Sequence, residues 1–176
     1  MAPYTAEDGA RTAPATHGPR GPWPLDDDSD GDRPGSSIAK IVTPQFFNGI
    51  INHAKPNCPG KHFYTRRAFL DASRSYPKFG TTRSETTRKR EIAAFFAHVT
   101  YETGQEMGGP SKSFCVSSTR YPCVPGKSYY GRGPLQITWN FNYGPVGESI
   151  GFDGLRAPET VAKDPVISFK TDFGSG

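Results

Sequence analysis

The sequence predicts a mainly α protein with long loops. Three observations predict it. Apolar residues recur at helical spacing in several separate segments. No stretch shows the apolar–polar alternation of a strand. Gly and Pro number 20 and 17 among 176 residues, a share that fits extensive loop. Apolar residues are 34%, below the ~45–50% of an average globular chain. The length suits one domain with a thin core.

The first 36 residues stand apart. Glu7, Asp8, Asp26, Asp27, Asp28, Asp30 and Asp32 oppose only Arg11, Arg20 and Arg33, so this acidic segment sits in a chain of net charge +4. It is rich in Pro and Gly and has almost no apolar periodicity. Burial cannot offset its ordering entropy, so residues 1–36 are expected to be disordered and 37–176 to form the folded unit. No apolar stretch of signal-peptide character follows Met1. No apolar run approaches the ~18–20 residues that span a bilayer, which excludes a transmembrane role.

Along the folded part, Thr43 is an N-cap and Pro44 fits the first helical position. Phe46, Phe47, Ile50 and Ile51 then share one helical face. Residues 55–62 read as a Pro/Gly/Lys loop. Thr65 caps a second helix, expected to reach Tyr76 and to end before Pro77. Residues 78–84 are loop. The strongest helix runs from about Glu85 to Thr103, with Ala93, Ala94 and Ala97 as good helix formers and Gly104 as a stop. Residues 104–130 read as loop. A helical stretch near 139–150 is expected to be interrupted by Pro145, and Pro158 and Pro165 each suit the first turn of a short helix.

Within the long helix, Phe95, Val99 and Glu102 are spaced four and three apart and so share a face. A carboxylate on the apolar side, at the negative end of the helix dipole, has its pKa pushed up. That is the property of a general acid working near neutral pH. A solvated acid at a fraying helix end fits the same pattern. His98, one turn earlier, lacks the second histidine that a zinc-protease helix needs, and reads as a core or rim residue. Gly131-Arg132-Gly133-Pro134 lacks the spacing of a phosphate loop and reads as a tight turn that brings backbone close to a ligand. Gln136, Thr138, Trp139, Asn140, Phe141, Asn142 and Tyr143 follow. Amides and hydroxyls recognise sugar hydroxyls, and aromatic faces suit sugar rings, although some of these aromatics belong to a core. Arg83, Arg88, Lys89 and Arg90 read as one solvated helix face, with no pattern for nucleic acid. Cys58, Cys115 and Cys123 have no CxxC spacing and no clustered histidines, so no metal site is expected. They are either three buried thiols or a Cys115–Cys123 disulfide with Cys58 unpaired.

Two long motifs, in order, carry a resemblance. Lys89-Arg90-Glu91-Ile92-Ala93-Ala94-Phe95-Phe96-Ala97-His98-Val99-Thr100-Tyr101-Glu102-Thr103-Gly104 resembles the catalytic helix of plant-type chitinases of glycoside hydrolase family 19. The segment from Tyr121 to Pro145, with Tyr129-Tyr130-Gly131-Arg132-Gly133-Pro134-Leu135-Gln136 and Thr138-Trp139-Asn140-Phe141-Asn142 at its centre, resembles the same family. The resemblance runs from about Ile38 to Thr171 and is closest to the class with shortened loops.

It implies a lysozyme-like chitinase fold and an endochitinase that hydrolyses β-1,4-N-acetylglucosamine linkages with inversion, in chitin and cell-wall breakdown and defence against fungi. It places Glu102 as general acid. Gln136 and Asn142 match substrate-holding positions, and Thr138 a position that holds the attacking water. Phe141 stands in place of a tyrosine, and Tyr121 where an aromatic lines the cleft. Cys115 and Cys123 match a family disulfide. No cofactor and no metal are implied. The partners implied are chitin or N-acetylglucosamine oligosaccharides, without nucleic acid or membrane, for a monomer in an extracellular setting.

Departures from the family set further expectations. Inversion needs two carboxyls ~6.5–9.5 Å apart. The stretch Gln105–Phe114 has no glutamate where the family keeps its base, and Glu106 is its one carboxylate. Tyr101 replaces a histidine. After Thr171 the sequence continues only through Asp172-Phe173-Gly174-Ser175-Gly176, so the expectation is a partial catalytic domain, incomplete at its C-terminus and of marginal stability. A catalytically impaired chitin-binding protein is the alternative.

Overall fold

The computed structural model describes residues 36–81, 84–102 and 112–173. Residues 1–35, the Gly104 stop and Glu106 lie outside the described residues, as does the Glu102 side chain, and Ser36, expected in the N-terminal segment, is helical.

Seven α-helices and one 3-10 helix make up the described elements: α1 (Ser36–Ile41), α2 (Pro44–Ile51), α3 (Gly60–Phe63), α4 (Arg66–Ser73), α5 (Glu85–Glu102), α6 (Asn140–Ile150), the 3-10 helix Pro158–Ala162 and α7 (Pro165–Phe173). The mainly α expectation holds. Among the described residues, the only β-type pairing is an isolated antiparallel bridge between Arg132 and Ile137.

The caps explain where the helices start. Thr43 Oγ1 accepts from the Phe46 N–H at 3.1 Å, with Pro44 at the first position. Thr65 Oγ1 accepts from the Ala68 N–H at 3.1 Å. At α7, Asp164 Oδ1 accepts from the N–H groups of Val166 and Ile167, so the residue before Pro165 caps the helix.

Four elements differ from the sequence expectation. α1 was not anticipated. It forms because Ile38 and Val42 are fully buried and Arg66 caps its last turn, donating to the carbonyls of Val42 (2.6 Å) and Ala39 (3.1 Å). α3 is a single turn that begins within the expected 55–62 loop. α4 ends at Ser73 rather than Tyr76. The Ser73 hydroxyl takes the Leu70 carbonyl at 2.8 Å, and the next turn tightens into i→i+3 bonds at Ser75 and Tyr76. α6 runs unbroken through Pro145. Gly144 has no Cβ to meet the proline ring, and the acceptor left unserved, the Phe141 carbonyl, belongs to an exposed residue.

Two cores result. Ile38, Phe47, Phe69, Ile92, Phe96 and Phe169 centre an aromatic-rich cluster joining α1, α2, α4, α5 and α7. Tyr129, Tyr143 and Val161 centre a smaller one under the loops. α7 serves both, with Phe169 in the first and Ile167 against the second.

Candidate functional site

A cleft of about 980 Å³ opens where α5, α7 and the start of α6 meet the turn at 133–139. His98 lines it from α5, Thr171 and Asp172 from α7, Gln136, Thr138 and Trp139 from the turn, and Asn142 from α6. Lys112 and Phe114 close another side.

The turn that carries the polar groups is tightly bent. Gly133 has φ 79°, and a Cβ there would lie 3.1 Å from Thr171 Oγ1 of α7 and 3.2 Å from Val161 of the 3-10 helix, so any other residue would be strained there and would press on both. Gln136 (φ 53°) and Trp139 (φ 76°) are non-glycine residues in the left-handed region. Each such residue costs on the order of 1–3 kcal/mol and persists only where its surroundings fix it. The fixing bonds are present. Gln136 N–H donates to the Gly133 carbonyl at 3.1 Å, and Ile137 and Arg132 exchange backbone bonds. Trp139 N–H donates to the Tyr129 carbonyl at 2.8 Å.

The polar side chains share a pattern. Gln136 Nε2 donates to the Gly133 carbonyl at 2.9 Å, Thr138 Oγ1 to the Gln136 carbonyl at 2.7 Å, and Asn142 Nδ2 to the Thr138 carbonyl at 2.7 Å. Each group uses one proton on the backbone and keeps oxygen lone pairs, and Gln136 and Asn142 each keep a second amide N–H. The site therefore offers acceptors together with amide donors, which suits a ligand rich in hydroxyl and amide groups. Trp139, 37% exposed, stacks on the 44% exposed Phe141 with ring centroids 5.8 Å apart and planes 13° apart. Phe114 meets Trp139 edge-on at 5.5 Å.

Behind the turn lies a buried polar clamp. Arg132 Nη1 donates to Tyr143 Oη (2.9 Å) and the Ser128 carbonyl (3.0 Å), and its guanidinium lies 3.7 Å from the Tyr130 ring centroid. Tyr143 Oη donates onward to the Tyr130 carbonyl at 2.9 Å. Burial pushes the Tyr143 hydroxyl up to about 12, despite the nearby guanidinium.

Three of the sequence-singled residues, Gln136, Thr138 and Asn142, come together in the cleft. Phe141 borders it through Trp139. Tyr121 does not line it. Its ring packs on α6 at Gly144, where a Cβ would come within 2.3 Å of the ring, and its carbonyl accepts from Asn140. Asn140 and Tyr143, grouped by sequence with the sugar-type amides and aromatics, are fully buried. Asn140 bonds both the N–H and the carbonyl of Val116, joining the loop to α6. Glu102 is the last residue of α5, one turn beyond the cleft-lining His98. His98 is exposed and so a rim residue. Cys115 and Cys123 form the disulfide, and Cys58 is free. Sequence reading passed over Asp172, whose only signal is a carboxylate beside Phe173 in the last turn of α7.

The model of the glycoside hydrolase 19 family, chitinase class I, matches residues 41–174. The chain belongs to this family. It is 61% identical over 143 residues to Endochitinase EP3 of Arabidopsis thaliana, covering 78% of the chain and 52% of that relative. It is 59% identical over 143 residues to Chitinase 4 of Oryza sativa subsp. japonica, covering 78% of the chain and 50% of the relative. The chain thus spans about half the length of these curated relatives. Among solved structures, the family 19 class IV chitinase from Zea mays superposes with a TM-score of 0.70 at 53% identity, covering 77% of this chain and 70% of that one. Chitinase C from Streptomyces griseus superposes with a TM-score of 0.66 at 35% identity, covering 76% and 64%. The family 19, lysozyme-like architecture is therefore the fold of this chain. No helix among the described residues is long and apolar enough to cross a membrane.

Proposed function

We propose that the cleft binds β-1,4-linked N-acetylglucosamine oligomers and hydrolyses them internally with inversion. The carrying observation is the amide and hydroxyl wall of Gln136, Thr138 and Asn142 beside exposed Trp139, in a family 19 chain. Sugar hydroxyls and acetamide groups, which both donate and accept, pair with such a wall, and an aromatic face suits the sugar ring.

In this reading Glu102 protonates the glycosidic oxygen as the bond to the anomeric carbon breaks. Its place at the C-terminal end of α5 favours the protonated form. A water adds to the anomeric carbon from the opposite face, its proton passing to a second carboxylate as inversion requires. Thr138 Oγ1, whose proton is engaged by the Gln136 carbonyl, offers that water its lone pairs. Degradation of fungal cell-wall chitin outside the cell is the setting that fits this activity.

A second reading is oligosaccharide binding without turnover. One observation favours it: the carboxylate among the described lining residues is Asp172, and its Oδ1 already accepts from Leu135 and Thr171. Inversion needs a carboxylate free to activate water.

Incubation with chitin hexasaccharide, followed by proton NMR, separates the two. Early α-anomer product that disappears in Glu102→Gln supports inverting hydrolysis. Saturable binding without product supports the second reading. Neither product nor binding, from a protein that unfolds cooperatively, overturns both.

A further inference from the structure

We propose that Asp172 of α7 is a positioning residue that holds the 133–136 turn in its ligand-binding shape. Asp172 Oδ1 accepts from the Leu135 N–H at 3.1 Å and from Thr171 Oγ1 at 3.3 Å. Leu135 directly precedes Gln136, the strained residue that faces the cleft. Asp172 is among the residues that line the cleft and is only 7% exposed. On the same helix, Thr171 and Ser168 stand against the place where a Cβ of residue 133 would project. One face of α7 therefore grips the turn at its first and third residues. A bond from an amide to a buried carboxylate is charge-assisted and stronger than one to a neutral acceptor, so it can hold a backbone conformation that costs energy.

Burial pushes the Asp172 carboxyl well above the usual aspartate range, and the bond from Leu135 opposes that shift. The groups facing it are Tyr64 and Tyr76 from either end of α4, both interacting with its charge, and His98 and Lys112 across the cleft. The grip on Leu135 is therefore tighter once the carboxyl ionises.

The test uses the full chain. In wild type the Leu135 amide resonance is expected to titrate with a midpoint above the usual aspartate range, and Asp172→Asn to abolish that titration. A Leu135 amide with the same pH profile in wild type and Asp172→Asn overturns the proposal. The second readout rests on the proposed sugar site. For hexasaccharide binding by calorimetry, Asp172→Ala is expected to weaken affinity about tenfold, and Asp172→Asn, which keeps an acceptor oxygen, to restore most of it. Equal affinity in wild type and a folded Asp172→Ala overturns the positioning role. Should wild type bind no hexasaccharide, the sugar-site reading fails, and the Leu135 titration alone decides whether Asp172 holds the turn.

Discussion

Phe69 and Tyr143 are both fully buried, yet their surroundings have little in common. Phe69 sits among Phe96, Phe95, Phe169, Phe173 and Phe79, with ring centroids between 4.9 and 6.4 Å away. These rings come from helices α5 and α7 and from the loop after α4. Tyr143 sits among polar partners: the Arg132 guanidinium, the Tyr130 carbonyl and the ring of Tyr129. The first region is held by non-directional burial. The second is held by directional bonds, a disulfide and tight backbone approaches. The site lies where they meet, and its binding wall comes from the directional region. Such bonds can fix the φ of Gln136 and Trp139, which apolar packing alone would let relax.

The largest expected effect tests the apolar side. Phe69→Ala removes the ring that touches five others and should cost about 3–5 kcal/mol of unfolding free energy in denaturant melts. Phe69→Leu should cost less than half of that, because burial without direction tolerates a change of shape. Equal losses would mean that this core too depends on specific geometry.

Alkaline pH tests the directional side. Tyr143 is pushed from 10.0 to about 12 in the fold. Its contribution to stability is fully present below pH 10.0 and is lost as pH rises through about 12. That loss should amount to about 2–3 kcal/mol. Tyr143→Phe should flatten this part of the stability profile while lowering stability at neutral pH through the lost Arg132 bond. A profile equally steep in the variant would place the alkaline lability elsewhere.

The Cys115–Cys123 disulfide closes a loop of sequence separation 8, short for a staple, so its loss should cost about 2 kcal/mol. With Cys115→Ser and Cys123→Ser together, backbone amide exchange should quicken at Val116 and Tyr129. Exchange at Ile92 and Phe96 should stay as slow as before. Uniform quickening would show that the two cores unfold as one unit.

How legible each region was in the sequence follows the same division. The apolar helices were plain. The Thr43 and Thr65 caps, the Phe46–Ile51 face and the long α5 follow from periodicity and capping chemistry, which are local. α1 was not legible, because its carbonyls are capped by Arg66, distant in sequence. Pro145 misled because the tolerance of α6 depends on Gly144 and on an exposed Phe141. In the loop region, residue type announced sugar chemistry but could not sort the amides. Asn140 and Asn142 are two apart, yet one is buried and bonds the loop at Val116 while the other lines the cleft. That sorting is set by backbone direction at Trp139, whose positive φ no propensity foretells. Family resemblance supplied Gln136, Thr138 and Asn142 as a set. It gave no warning of Asp172, which acts through Leu135.

Lys127 gives the smallest effect and the sharpest check. Its Nζ reaches both oxygens of Glu159, at 3.0 and 3.2 Å, and ties the loop after Cys123 to the 3-10 helix. The side chains are 29% and 38% exposed, so water screens the pair. Lys127→Met should therefore cost under about 1 kcal/mol, and high salt should shrink the difference further. The Glu159 carboxyl is held below the usual range, first by its own backbone N–H and then by Lys127. The pair's contribution is present at neutral pH and fades as pH falls through that lowered value. A cost near that of breaking the disulfide would shift the weight in the loop region from buried hydrogen bonds to surface charge. The contrast between Phe69 and Tyr143 would then no longer describe how the two regions are held.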